Sequence, residues 1–214
     1  MTDRIHVLIA DDHAIVRAGL RQFIADQPDM NVAGEAATGS EAISLVRAGG
    51  ADYDVVLLDV SMPNRNGIDT LKQLKKEFPR LPVLILSMHP EEQYAIRALK
   101  AGASGYLTKQ SAPEQLVTAI RQVASGKKYV SPTVAMQLAD AIANDTEQPP
   151  HELLSDREYE VLKLIAAGKT LTQIAEELNL AVATISTFRA RILTKLGLSS
   201  TAELIRYGLE RGLV

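Results

Sequence analysis

From Arg4 to about Gly126 the chain alternates short apolar runs with stretches whose apolar residues recur every three or four positions, and it does so five times. Continuous or alternating apolar runs mark strands, and a 3.6-residue period marks amphipathic helices. The pattern predicts strands at Ile5–Ala10, Asn31–Glu35, Asp54–Leu58, Pro82–Ser87 and Ser104–Thr108, with helices near 14–26, 40–48, 67–77, 91–101 and 113–125. Residues 55–58 and 83–86 are apolar throughout, as strands covered on both faces of a parallel sheet require. Five successive βα units predict a doubly wound, five-stranded parallel α/β domain.

After Gly126 the texture changes. A segment around Pro132–Ala143 predicts one short helix, and Asn144 to Pro150 reads as a linker, because Pro149 and Pro150 cannot continue a helix. From Leu154 onward the pattern is helical and well punctuated. Ser155 with Glu158, Thr170 with Gln173 and Ser200 with Glu203 have capping-box spacing. Gly168 and Gly197 stand where helices should stop, and a further helix is predicted over 182–196. The expected division is therefore an α/β domain over 1–127, a linker with a short helix over 128–150, and an all-α domain of four helices over 151–214.

Composition removes several classes of function. There is no cysteine among the 214 residues, which excludes disulfides, thiolate nucleophiles and cysteine-based metal centres. No apolar run approaches the roughly 18–20 residues of a membrane span, and the N-terminus lacks the layout of a signal peptide, so a cytoplasmic location and no membrane partner are expected. The net charge of −3 makes the whole chain no basic coat for nucleic acid, yet a local basic patch remains compatible with it.

Ligands of open α/β sheets bind outside the carboxyl ends of the strands. There the first strand runs into Asp11 and Asp12, the third into Asp59, the fourth into Ser87 and the fifth into Lys109. Oxygen ligands of this kind suit a hard cation, with Mg2+ the expected ion. Clustered carboxylates repel one another unless a cation or Lys109 offsets them. With that charge neutralised, one carboxylate can attack a phosphoryl group whose oxygens Lys109 and Ser87 would hold. Turn formation and helix capping explain any one of these residues, but poorly explain all five at equivalent strand ends. His13 reads as a capping or packing residue, and His6, His89 and His151 show no metal-ligand spacing.

The segments Ala10-Asp11-Asp12-His13, Leu58-Asp59-Val60-Ser61-Met62-Pro63, Leu86-Ser87 and Gly105-Tyr106-Leu107-Thr108-Lys109 resemble the motifs of a response-regulator receiver domain over about residues 4–126. The resemblance implies strand order 2-1-3-4-5 and Asp59 as the phosphoacceptor. It also implies Mg2+ held by Asp11, Asp12, Asp59 and the Ser61 backbone carbonyl. Ser87 and Tyr106 would be the switch pair, the hydroxyl turning toward the phosphoryl group and the ring following inward. Such a domain catalyses only its own phosphorylation and dephosphorylation, so the chain is otherwise not expected to be an enzyme. One departure is Gln110 after Lys109, where many receivers have a cis proline. Two other readings weaken. A haloacid-dehalogenase-type phosphatase would carry a second Asp where Ser61 stands, and a flavodoxin-like domain would need a phosphate-cradling loop where Asp11 and Asp12 would repel the anion.

In the second domain, 160–168 and 172–178 followed by a tight turn and the 182–196 helix fit a helix-turn-helix, whose second helix enters the DNA major groove. Between Leu178 and Ala202 the charged residues are Arg189, Arg191 and Lys195. On a helical wheel Ile185, Phe188, Ile192 and Leu196 face the core. Thr187, Ala190 and Thr194 face away, Ser186 and Arg191 lie at the edges, and Arg189 and Lys195 could reach phosphates. An ordinary solvated helical face gives the same wheel, and the domain's eight basic and eight acidic residues do not decide between the two.

Leu154-Ser155-Asp156-Arg157-Glu158-Tyr159-Glu160-Val161-Leu162, Ile174-Ala175, Thr184-Ile185 and Ile192-Leu193-Thr194-Lys195-Leu196 resemble a LuxR-type helix-turn-helix domain, and the whole chain is similar to a NarL/FixJ-subfamily response regulator. The resemblance places base contacts at Ser186, Thr187 and Ala190. With the wheel, the candidate DNA-binding set is Thr184, Ser186, Thr187, Arg189, Ala190, Arg191, Thr194 and Lys195. Ala181, Ala183, Phe188 and Ala190 depart from commoner residues of that family. The expected function is transcriptional control in which a sensor histidine kinase phosphorylates Asp59 and a homodimer binds two DNA half-sites. The competing expectation is a regulator working through protein contacts, with little DNA affinity or without phosphorylation.

Overall fold

The structure is a computed structural model and describes residues 4–49, 52–62, 67–88, 91–111, 113–136 and 150–214. Apolar side chains on both faces put β1 (Ile5–Ala10) in the interior of a parallel sheet, between β2 (Met30–Ala36) and β3 (Val55–Asp59). Adding β4 (Val83–Ser87) and β5 (Gly105–Thr108) completes the order β2-β1-β3-β4-β5. Parallel strands need crossovers, supplied here by α1 (Ala14–Ala25), α2 (Gly39–Gly49), α3 (Gly67–Glu77) and α4 (Glu91–Lys100), with α5 (Pro113–Ala124) after β5. Residues 7–10, 55–58 and 83–85 are almost wholly buried, which is why those runs carry no polar alternation.

Boundaries moved by a residue or two. Asp59 is the last residue of β3 rather than the first beyond it, because the ladder to β4 extends to the pair Asp59 and Leu86. The acceptor candidate is thus held by the sheet itself. Directly above it, the Gly67 N–H donates to the Val60 carbonyl at 2.9 Å. A Cβ on Gly67 would lie 2.0 Å from the Asp59 carbonyl oxygen, so α3 can approach β3 this closely only with glycine there.

The chain divides into two compact units, Met1–Asn144 and Asp145–Val214. The start of the expected linker packs on the first unit: Tyr129 donates to the Ser104 carbonyl at 2.8 Å, and Lys128 Nζ to the Ala103 carbonyl at 2.5 Å. Residues 132–136 are helical, while the remainder of the helix expected to 143, and the linker up to Pro149, lie outside the described residues.

The second unit opens with a 3-10 turn, Pro150–Leu153, followed by α6 (Asp156–Ala166), α7 (Leu171–Glu177), α8 (Val182–Leu196) and α9 (Thr201–Glu210). Reciprocal capping boxes form at Ser155/Glu158 and Thr170/Gln173. At α9 only half of one forms. Ser200 accepts from the Glu203 N–H, but Glu203 Oε2 accepts from Ser199 N at 2.6 Å. Gly197 closes α8 at a φ of 66°, a left-handed conformation that suits glycine. Asn179, at a φ of 51°, makes the turn between α7 and α8.

Replacing Gly67 by alanine should cost about 1–3 kcal/mol through overpacking against β3. Urea denaturation of the full chain checks this; an unchanged midpoint for the first unit would contradict the close approach.

Candidate functional site

The acidic cluster forms at the carboxyl edge of the sheet because β1 and β3 end side by side there. Asp11 and Asp59 are each only 1% exposed, and Ser87 is fully buried at the end of β4. Lys109, the residue after β5, is fixed by its N–H to the Ser87 carbonyl at 2.7 Å. Its Nζ sits 2.6 Å from Asp11 Oδ2 and 3.1 Å from Asp59 Oδ1. Lys109 thus bridges the two buried carboxylates, and the Ser61 backbone N–H also bears on Asp59. Asp12 Oδ1 has His13 Nδ1 as an ion-pair neighbour at 2.8 Å.

Burial pushes the Asp59 carboxyl up to about 6; Lys109 opposes that rise and the charge of Asp11 adds to it. One ammonium therefore faces two buried carboxylates, and the balance favours a further cation. Candidate ligand atoms of Asp11, Asp12, His13 and Asp59 all lie within 4.8 Å of one another. The carboxylate oxygens of Asp11, Asp12 and Asp59, without the imidazole of the exposed His13, fit a hard divalent ion of the Mg2+ kind. Ser61 stands two residues beyond Asp59 in the same loop. Tyr106, in β5, is 2% exposed, so its ring lies inside. No peptide bond among the described residues is cis, including Lys109–Gln110.

Two residues that sequence reasoning did not single out hold this cluster. Arg17, one turn into α1, donates to the Asp11 carbonyl at 2.6 Å and pairs with Glu35 on β2. Gly67 admits α3, and its signal in the sequence was a glycine opening a predicted helix. His13 is the N-cap residue of α1, yet its side chain makes no cap hydrogen bond. Instead its backbone N–H donates to Asp11 Oδ1 at 2.8 Å.

In the second unit, Ile185 and Ile192 are fully buried, and Phe188 and Leu196 partly so. Thr184, Ser186, Thr187, Ala190, Arg191, Thr194 and Lys195 are exposed, and Arg189 is half-buried. Two of the three basic residues of this stretch are engaged within the fold. Arg189 Nε donates to Thr201 Oγ1 at 2.7 Å, and Lys195 Nζ to Glu158 Oε2 at 2.6 Å. Glu158 thereby joins the start of α6 to the last turn of α8. Burial raises its pKa, but Lys195 and the Ser155 groups outweigh that and hold it below the usual carboxylate value. Arg191 has no ion-pair partner among the described residues.

The chain matches the response regulator receiver domain over residues 7–121 and the luxR family of bacterial regulatory proteins over residues 152–208. It therefore belongs to the response regulators of two-component systems that carry a LuxR-type, DNA-binding helix-turn-helix, the NarL/FixJ type. Response regulator UvrY of Escherichia coli (strain K12) is 35% identical over 210 residues, covering 98% of this chain and 95% of that protein. Response regulator GacA of Pseudomonas aeruginosa is 36% identical over 211 residues, with 98% of both chains covered. A structure of RcsB from Salmonella enterica serovar Typhimurium, bound to promoter P1flhDC in the presence of phosphomimetic BeF3−, superposes with a TM-score of 0.59 at 32% identity, covering 96% of this chain and 98% of that one. The strand order and two-part architecture expected from the sequence agree with this membership, and no helix among the described residues is long and apolar enough to cross a membrane.

A carboxyl raised from 3.8 to about 6 in the fold binds its proton more tightly folded than unfolded. Ionised Asp59 thus destabilises the metal-free domain above pH 6, and that cost fades as pH falls toward the unfolded value. Asp59→Asn should stabilise the chelator-treated protein near neutrality by on the order of 2–3 kcal/mol. The gain should shrink toward zero near pH 4, as thermal unfolding across pH would record; a gain that does not vary with pH would contradict the assignment.

Proposed function

We propose that this response regulator is switched by phosphorylation of Asp59, with a sensor histidine kinase as donor, and that the switch governs its binding to DNA. The observation that carries the proposal is the buried Asp59 carboxylate, which faces Lys109 and Asp11 at the sheet edge. A carboxylate oxygen of Asp59 attacks the phosphorus, a P–O bond forms, and the P–N bond to the donor histidine breaks with its electron pair leaving on nitrogen. Asp11, Asp12, Asp59 and the Ser61 backbone carbonyl would hold Mg2+, which when bound neutralises charge on the phosphoryl oxygens. The Lys109 ammonium moves from its carboxylate partners to a phosphoryl oxygen, and the Ser87 hydroxyl donates to another. Tyr106 shares β5 with the segment that carries Lys109, and its ring fills the space that the Ser87 hydroxyl vacates.

The added charge biases an existing equilibrium between two conformations rather than creating a new one. The state favoured by phosphate is a homodimer on two half-sites, where two-fold symmetry doubles the contacts. The receiver occupies 1–127 and the DNA-binding domain 151–214, on either side of the linker over 128–150, and the protein works in the cytoplasm. On α8, the groove-facing set is Thr184, Ser186, Thr187, Ala190, Arg191 and Thr194. RcsB, bound to a promoter with a phosphomimetic, is a relative with the same two parts.

A second reading, regulation through protein contacts with little DNA affinity, draws on the engagement of Arg189 and Lys195 inside the fold. Salt separates the two, since DNA affinity falls steeply with salt in proportion to the phosphates neutralised and apolar docking does not.

Incubation with a small phosphodonor should add one phosphoryl group to the intact mass, only with Mg2+ and not in Asp59→Asn. Gain in the mutant, or none in the wild type with either donor or kinase, would overturn the assignment. Arg191→Ala should weaken DNA binding and flatten the salt dependence by about one charge, while leaving the mass gain intact.

A further inference from the structure

Ala183, Thr187, Ala190 and Thr194 recur at intervals of four, three and four along α8, so they form one line on the helix surface, opposite buried Ile185 and Ile192. All four are exposed. The two threonines would ordinarily offer a groove both a hydroxyl donor and a methyl. Here the Thr187 hydroxyl donates to the Ala183 carbonyl at 3.0 Å, and the Thr194 hydroxyl to the Ala190 carbonyl at 3.1 Å. Each hydroxyl has one hydrogen, and the helix backbone takes it. What remains on that line is four methyl groups and two oxygens able only to accept.

The charges nearby do not change that inventory. Arg189 is turned to Thr201 and Lys195 to Glu158. Thr184, Ser186 and Arg191 carry donors, but they lie at the edges of the line rather than on it. A methyl surface has one matching feature in the major groove, the C5-methyl of thymine. Guanine presents two acceptors there, N7 and O6, which ask for donors that this line does not have.

We propose that Thr187 and Thr194, with Ala183 and Ala190, are specificity-determining residues that read thymine methyl groups, so that the centre of each half-site is rich in T·A pairs. The inference rests on α8 being the recognition helix of a DNA-binding protein, and adds to it the class of base read. Hydroxyl readout would need both threonines to abandon their bonds to the preceding turn. Methyl readout uses them as they stand, and the hydrogen bonds fix each rotamer before DNA arrives.

The test selects bound duplexes from a random-core pool with the full-length chain, phosphorylated by a small donor, and then replaces thymine by uracil at each enriched position. T·A pairs should dominate the core. Each uracil at a contacted position should weaken binding about fourfold, the effect of one buried methyl group. Thr187→Ser and Thr194→Ser, which keep the hydroxyl and lose the methyl, should show the same loss on thymine sites and none on uracil sites. Thr187→Val and Thr194→Val should bind as tightly as wild type. Selected cores dominated by G·C pairs, or serine variants that bind normally while valine variants fail, would overturn the proposal and leave α8 as the recognition helix. Retention of no duplex at any salt would overturn both.

Discussion

Two carboxylates and one ammonium, taken out of water at the edge of a parallel sheet, define the chemistry of the first domain. Burial of Asp59 beside Asp11 would expel a proton-free pair from any ordinary core, because the charged form is penalised by desolvation and by its like-charged neighbour. Lys109 offsets part of this at 2.6 and 3.1 Å, and the carboxyl still rises to about 6. The fold holds the arrangement because each member sits at the end of a buried strand. To move Asp59 would mean breaking its ladder to Leu86. On the function proposed above, the same neighbourhood would favour a divalent cation and a phosphoryl group.

The second domain solves a different problem, the presentation of a helix whose outer face is small. Its fixed points are polar and distant in sequence: Glu158 caps α6 and anchors Lys195, and Arg189 reaches Thr201 at the start of α9. These bonds hold two basic residues of α8 and help to orient it. A helix with a low outer face can lie deep in a groove, and an orientation set by bonds on its flanks keeps that face available.

The strands, helices and acidic edge were legible because each depends on local pattern: continuous apolar runs, 3.6-residue periodicity, and carboxylates directly after strands. Asp11, Asp12, Asp59, Ser87 and Lys109 converge by topology alone once the strands are ordered. What the sequence hid depends on where distant segments meet. Arg17 on the Asp11 carbonyl follows from the angle at which α1 leaves β1, and Gly67 matters because α3 approaches β3 within a Cβ's width. The pairing of Lys195 with Glu158 was not legible, since the two lie 37 residues apart. The capping spacing at Ser200 was correct in residue type, yet Glu203 takes the Ser199 N–H rather than that of Ser200. Hydroxyl donation by Thr187 and Thr194 is likewise a matter of rotamer, which no spacing rule contains.

The most direct test of the central claim is calorimetric titration of the chain with Mg2+ across pH. If the buried carboxylates are the cation site, one equivalent binds, and affinity falls about tenfold per pH unit below about 6 as Asp59 takes up its proton. Asp59→Asn should bind far more weakly and lose that pH dependence. Equal affinity for the two proteins, or an affinity unchanged from about pH 8 to about pH 5 where Asp59 should protonate, would contradict the account at its base.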